Sequence, residues 1–237
     1  FRIFKSHKRI LLYLLENNII IPDESIALAI SSPKYYKRFY PQFFYPEFEP
    51  FFTSTILQKM KNQNPEIFEM EIETFKEKRR IGENDSYICQ LIRDDSVVEF
   101  VTFVTQKNVS LSGIIPLSIF ETNSMLLQNM QTTLIEYAAF FGSIQVFQFL
   151  KVNKAPLSQN MQKYAIHGKN AELIHILEGN NVEDDNDKFV ALYVESIKCH
   201  HIDIMNYFKD NFVESQMIYD FLSESYRYFN FIEIKNN

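Results

Sequence analysis

Tryptophan is absent from this 237-residue sequence, glycine occurs only five times and cysteine only twice. So little glycine argues against sandwiches, barrels and nucleotide-binding loops, all of which lean on tight turns. The two cysteines, Cys89 and Cys199, stand far apart in neither a metal nor a disulfide spacing, and read as free thiols in a reducing compartment. The expected location is therefore cytoplasmic. No apolar run approaches the roughly 18 residues that a membrane span requires. The opening FRIFKSHKRI is no signal peptide, and the missing initiator Met points to a fragment. A basic excess is lacking too. The net charge is −6 with both signs interspersed, which sets aside non-specific nucleic-acid binding.

What the chain has is aromatic carbon, with 23 Phe and 13 Tyr, inside a 46% hydrophobic composition. With turns so scarce, that composition predicts an all-α protein. The clearest local signals lie at residues 132–156, TTLIEYAAFFGSIQVFQFLKVNKAP. Thr133 and Glu136 have the spacing of a capping box at a helix start. Ala138 and Ala139 are small enough for a neighbouring helix to come close. Gly142 suits the left-handed end of that helix, and Ser143 is placed to cap the next. Ile144, Val146, Phe147, Phe149 and Leu150 make a stripe too wide for one neighbour, as in a stack of repeats.

Elsewhere the pattern predicts short helices with punctuation. Residues 6–19 read as the second half of a repeat, and residues 23–30 as a short helix after Pro22. Residues 35–52 hold ten aromatics and prolines at 41, 46 and 50, which forbid a continuous helix. This is expected to be a packed, irregular insertion covering the end of the helix stack. Docking of an extended peptide is its alternative use. Residues 52–63 return to helix. Residues 66–80 read as a helix with acids early and bases late, whose 77–80 charge cluster is its solvated end. Residues 82–86 cap the next pair of helices, at 87–93 and 96–104. The insertion at 106–131 stands where a finger loop would be.

A repeat emerges from alignment on Ala138. Equivalent positions are Ala165, Ser196 and about Tyr226, at steps of 27, 31 and 30 (165 − 138, 196 − 165, 226 − 196). The central stretch resembles the ankyrin repeat, through Thr133, Ala138, Ala139, Gly142, Val146, Leu150 and Ala155. Leu134, Ile135, Glu136 and Lys154 replace its consensus Pro, Leu, His and Gly. Residues 6–19 align with the consensus G-H-L-E-V-V-K-L-L-L-E-x-G-A. The steps sit just under the ankyrin period of about 33, which implies short or missing finger loops. Together with IGENDSYICQLIRDDSVVEF, YAIHGKNAELIHILE and ESIKCHHIDIMNYF, the phrase LIEYAAFFGS is similar to a divergent ankyrin family of unknown function expanded in parasitic protists. The resemblance implies a helical solenoid that binds proteins.

Sites of chemistry are harder to find. Cys199, His200 and His201, with Asp203 or His175, invite a metal reading. Neighbours on a helix point about 100° apart, however, and cannot clasp one ion as an i, i+4 pair can. No nucleophile-elbow, phosphate-loop or dinucleotide pattern occurs, and EDDND at 183–187 lacks the Gly and closing Glu of a calcium loop. The acidic run is better placed to cap the following helix. No catalytic residue, metal ligand or cofactor is therefore assigned. The residues following the paired small positions would face a groove: Arg93 and Asp94, Phe140 and Phe141, His167 and Gly168, Lys198 and Cys199. Of these, Phe140, Phe141, Arg93, Asp94, His167 and Lys198 are the candidate partner-binding residues.

The expected architecture is an ankyrin-like helical-repeat solenoid truncated at both ends. An N-terminal region at 1–80 would precede repeats at about 82–105, 132–156, 160–182, 186–212 and 215–237. The expected function is a non-enzymatic protein–protein scaffold or adaptor that needs no cofactor. The alternative is a structural or regulatory segment of a larger, possibly catalytic, polypeptide.

Overall fold

The computed structural model describes residues 7–36, 38–178, 186–212, 218–228 and 230. In chain order the first eight helices are α1 (Lys8–Glu16), α2 (Glu24–Ile30), α3 (Pro33–Tyr36), α4 (Tyr40–Phe43), α5 (Tyr45–Phe48), α6 (Ser54–Gln63), α7 (Glu66–Glu69) and α8 (Ile72–Ile81). A 3-10 turn at Glu49–Phe51 follows α5. Then come α9 (Tyr87–Arg93), α10 (Val97–Gln106), α11 (Ser124–Gln128), α12 (Leu134–Phe141), α13 (Ile144–Val152) and α14 (Met161–Gly168). The last four are α15 (Ala171–Glu178), α16 (Asn186–Cys199), α17 (Ile202–Phe212) and α18 (Ile218–Arg227). The protein is all-α. Among the described residues the sole β-type pairing is an isolated bridge between Ile114 and Thr133, and no helix is long and apolar enough to cross a membrane.

The chain divides into two compact units. One comprises residues up to Tyr87 together with Pro116–Thr132, the other Ile88–Ile115 with Thr133 onward. The distal part of the expected finger-loop insertion thus belongs with the N-terminal residues. Polar anchors explain why. Thr122 donates its hydroxyl to the Gly82 carbonyl at 2.7 Å, Asn84 Nδ2 donates to Pro116 O at 2.6 Å, and Ser118 donates to Asp85 at 2.8 Å.

The first unit is built on aromatic rings. The prolines cut residues 33–52 into α3, α4, α5 and the 3-10 turn, with Pro41 and Pro46 in first-turn positions where a missing N–H costs nothing. Tyr35, Tyr40, Phe43, Phe44, Phe48 and Phe52 are buried in one cluster with Leu11, Ile30, Ile67 and Phe75. These rings are core, packed at tilted and edge-on angles. The helix expected over 66–80 is two helices. Met70 and Glu71 are extended between them, so α7 packs Phe68 on Tyr45 while α8 packs Phe75 on Phe120.

The solvated end expected at 77–80 also needs correction. Arg80 and Glu77 form an exposed pair, but Arg79 is 2% exposed. Its guanidinium makes a two-pronged bridge to Glu47 at 2.7 and 2.8 Å and donates to Phe43 O at 3.1 Å. A planar fork satisfied on that many sides tolerates burial that a lone charge would not.

The second unit is a stack of helical hairpins: α9/α10, α12/α13, α14/α15, α16/α17 and then α18. Helix α12 packs on α14, α14 on α16 and α16 on α18, while α10 packs on α13. Ala138, Ala165 and Ser196, the residues of the sequence repeat, are all fully buried. The next equivalent is Ser225 rather than Tyr226, for Ser225 is fully buried and Tyr226 exposed. Backbone bonds mark the same register. The carbonyls of Leu91, Ala138, Ser196 and Ser225 each accept the N–H five residues on, the helix ending that requires a left-handed residue. Asp95, Gly142 and His200 are the left-handed residues at the first three, and Lys169 takes the same conformation in the α14/α15 turn.

Second helices end alike. Val109 N and Ala155 N reach back to Val104 O and Leu150 O, and Asn108 and Lys154 carry the positive φ. Helix α1 closes the same way, from Ile19 N to Leu14 O with Asn18 left-handed.

Two close approaches hold hairpins together. A Cβ on Gly168 would lie 2.5 Å from both Ala139 O and Gly142 N, so this helical glycine is required by space and not by its φ. The capping box at Thr133 and Glu136 is present as expected. Ser143 makes no cap bond. Instead Asp95, from the preceding hairpin, accepts from Gln145 N and Val146 N at 3.1 and 2.9 Å. A carboxylate there satisfies orphan donors and faces the positive end of α13. The acidic run 183–187 lies partly outside the described residues, as does the chain after Asn230.

Candidate functional site

The candidate partner-binding residues fall at the turn ends of the first helices of successive hairpins, and Arg93, Phe140 and His167 reach the first helix of the next. Arg93 Nη1 donates to Tyr137 OH at 2.7 Å, and its guanidinium lies 5.8 Å from the centre of the Phe141 ring. Phe140 packs edge-on against Tyr164 and stacks on His167 at 4.8 Å and 22°. His167 Nε2 lies 3.1 Å from Glu195 Oε1. Lys198 Nζ bonds Glu195 Oε2 at 3.1 Å and sits 5.4 Å from the centre of the Tyr228 ring. Residues that sequence reasoning places beside a groove therefore also join one hairpin to the next.

Their accessibility differs. Phe140 is only 8% exposed, so its surface is spent on Tyr164, Phe141 and His167. Asp94 is exposed, whereas Arg93, Phe141, His167 and Lys198 are half-buried. Gly168 meets the backbone of the preceding hairpin. The short α9 and α12 end at left-handed turns immediately after these residues, which is what holds them in a row at the turn end of each first helix.

The third junction brings together chemistry that adjacency in sequence does not show. His167 from α14 meets Glu195 and Cys199 from α16, their ligand atoms all within 4.8 Å of one another and all three half-buried. Burial works to raise the Glu195 carboxyl, but hydrogen bonds from His167 and Lys198 outweigh it and hold the group below the ordinary carboxylate range. Burial works to lower Lys198, yet its bond to Glu195 holds it above its usual value. Burial, helped by the Glu195 charge, pushes the Cys199 thiol up to about 12. Such a thiol is protonated and a poor nucleophile at neutral pH.

The neighbours flagged with Cys199 go elsewhere. His200 Nε2 lies 3.0 Å from Tyr228 O and His201 Nε2 lies 3.4 Å from His167 O. His175 pairs with Glu178 at 3.2 Å, and Asp203 lies 3.9 Å from Lys169. Glu195 was missed, although its i, i+4 spacing to Cys199 was legible. Its partner His167, one repeat earlier at a groove position, was not connected to it because the hairpin register decides that contact. A separate cleft of about 260 Å³ between α15 and α17 is lined by Lys169, Ile174, His175, Asp203 and Tyr207. Comparison of the chain with family models, curated proteins and solved structures gives no match.

Proposed function

We propose that this chain is a non-enzymatic protein-interaction scaffold of ankyrin-like repeats. Backbone conformation at the consensus glycine positions supports the resemblance. Left-handed Gly142 stands at the first consensus glycine, and Lys154, replacing the second, takes the same conformation with φ 62°. Asn18, aligned with that second glycine in the N-terminal half-repeat, has φ 55°. The observation that carries the functional reading is the row itself. Asp94, Arg93, Phe141 and Lys198 keep solvent-facing surface at one register of a stack whose core is made by other residues. Such a row can vary in chemistry without disturbing the fold, and its rigidity lowers the entropic cost of binding.

The test is affinity capture or proximity labelling with the 237-residue chain, followed by single changes in the row. Phe141→Ala and Asp94→Lys should each weaken capture of the partner by tenfold or more while unfolding is little changed. Phe140→Ala should instead lower fold stability by ~3–5 kcal/mol, as for any buried ring. Undiminished capture by folded Phe141 and Asp94 variants would move the binding surface off this row.

A further inference from the structure

We infer that His167, Glu195 and Cys199 form a binding site for a single divalent transition ion, with Zn²⁺ the best fit, that staples hairpin α14/α15 to hairpin α16/α17. Glu195 and Cys199 stand one turn apart on α16 and project from one face, and His167 comes from the helix packed against it. An i, i+4 pair completed by a third residue from a neighbouring helix is a metal-binding arrangement that consecutive residues cannot make. The ligand atoms already lie within 4.8 Å of one another. Zn²⁺ bonds of roughly 2.0–2.3 Å place tetrahedral ligands about 3.5 Å apart, so side-chain rotation of about an ångström closes the site.

The donor set chooses the ion. One imidazole nitrogen, one carboxylate oxygen and one thiolate sulfur suit borderline-soft Zn²⁺ and not Mg²⁺ or Ca²⁺, which take oxygen. Glu195 and a Cys199 thiolate together match the charge of the dication. Binding converts the Cys199 thiol to thiolate with release of its proton, and His167 coordinates through an imidazole nitrogen. Lys198 holds only Oε2 of Glu195, which leaves Oε1, now beside His167, for the ion. Phe140, stacked on the His167 ring, fixes the plane in which that nitrogen points.

Comparison of junctions within the same stack adds an independent argument. At the first two, the equivalent positions are filled by Arg93 with Tyr137 and Phe140 with Tyr164, a hydrogen-bonded pair and a ring pair. Neither couple is a set of metal ligands, so the stack itself does not need one. Among the described residues, only at the third do nitrogen, oxygen and sulfur donors converge.

The experiment is Co²⁺ and Zn²⁺ titration of the reduced 237-residue chain. Co²⁺ should bind at one per chain with near-ultraviolet thiolate-to-cobalt absorption and tetrahedral visible bands, and Zn²⁺ should bleach both. Zn²⁺ at a hundred times its Kd should raise the folded-to-unfolded ratio about a hundredfold. Cys199→Ser should abolish the thiolate band, and His167→Gln and Glu195→Gln should each weaken binding by tenfold or more. Circular dichroism verifies that these near-isosteric variants are folded. Cys89→Ser and His200→Ala should bind as the parent does. Failure of Co²⁺ to show a thiolate band, persistence of the band in Cys199→Ser, or its loss in His200→Ala would overturn the site.

Discussion

Arg79 and Lys8 show how a charge comes to be buried in the aromatic unit. Arg79 is held on both oxygens of Glu47 and lies 5.2 Å from the centre of the Phe75 ring. Arg79→Lys keeps the charge but loses the fork. It should cost about 3 kcal/mol in urea unfolding, the low end for breaking a buried pair, because Glu47 retains 20% side-chain exposure. Lys8 is fully buried, donates to Ile119 O and Glu121 O at 2.9 Å, and lies 4.8 Å from the centre of the Phe43 ring. Burial, only partly offset by Glu121, lowers its pKa from 10.5 to about 7.

At Lys8, therefore, the folded chain carries fewer protons than the unfolded chain between pH 7 and 10.5. Raising the pH through that window should increase the Lys8 contribution to stability by a few kcal/mol. Cys199, pushed up from 9.0 to about 12, acts in the opposite sense from about pH 9, and two tyrosines join it above about pH 10. Tyr45, raised by burial and its bond to Glu49 to about 12, and Tyr40, raised by burial, keep protons that the unfolded chain loses. Thermal melts from about pH 7 to 8.5, below the Cys199 window, should rise for the parent and lie nearly flat for Lys8→Met. A parent curve that falls over that range would remove the buried-lysine account.

At the scale of the element, helix ends and helix approaches do the organising. Gly168→Ala would drive a methyl into the backbone of the preceding hairpin, where neither Ala139 O nor Gly142 N can yield cheaply. A loss of ~1–3 kcal/mol should follow, as in overpacked cores. Lys154→Gly should act in the opposite sense, because Lys154 pays for a left-handed φ of 62° on an exposed turn. A gain of up to about 1 kcal/mol is expected from chemical denaturation of the two variants. The capping box and the breaks at Pro41 and Pro46 were legible in sequence because they are local. The cap of α13 by Asp95 was not, since Ser143 occupied the right place in the chain and only the stacked hairpin brings a carboxylate to those N–H groups. The break between α7 and α8 carries no proline or glycine to announce it.

For the whole molecule, the expectation is a strongly helical far-ultraviolet circular dichroism spectrum without a strand component, since the single bridge of Ile114 and Thr133 adds almost none. A substantial strand signal would contradict the fold. The partition of the chain into two units turns on Pro116–Thr132, which joins the residues up to Tyr87 across a long sequence separation. Its anchors are single donors such as Thr122 and Asn84, whose acceptors are backbone carbonyls that any residue supplies.

By itself the sequence determined the all-α class, the hairpin period and the helix-ending glycine at 142. These depend on residues a few positions apart, where spacing and propensity act directly. The register of the last repeat at Ser225, the burial of Arg79 and Lys8, and the meeting of His167 with Glu195 and Cys199 were decided only in three dimensions. Each turns on which side chain a neighbouring helix presents. A charge or a ligand is then buried, paired or exposed according to partners far off in the chain, as Ile119 and Glu121 are from Lys8.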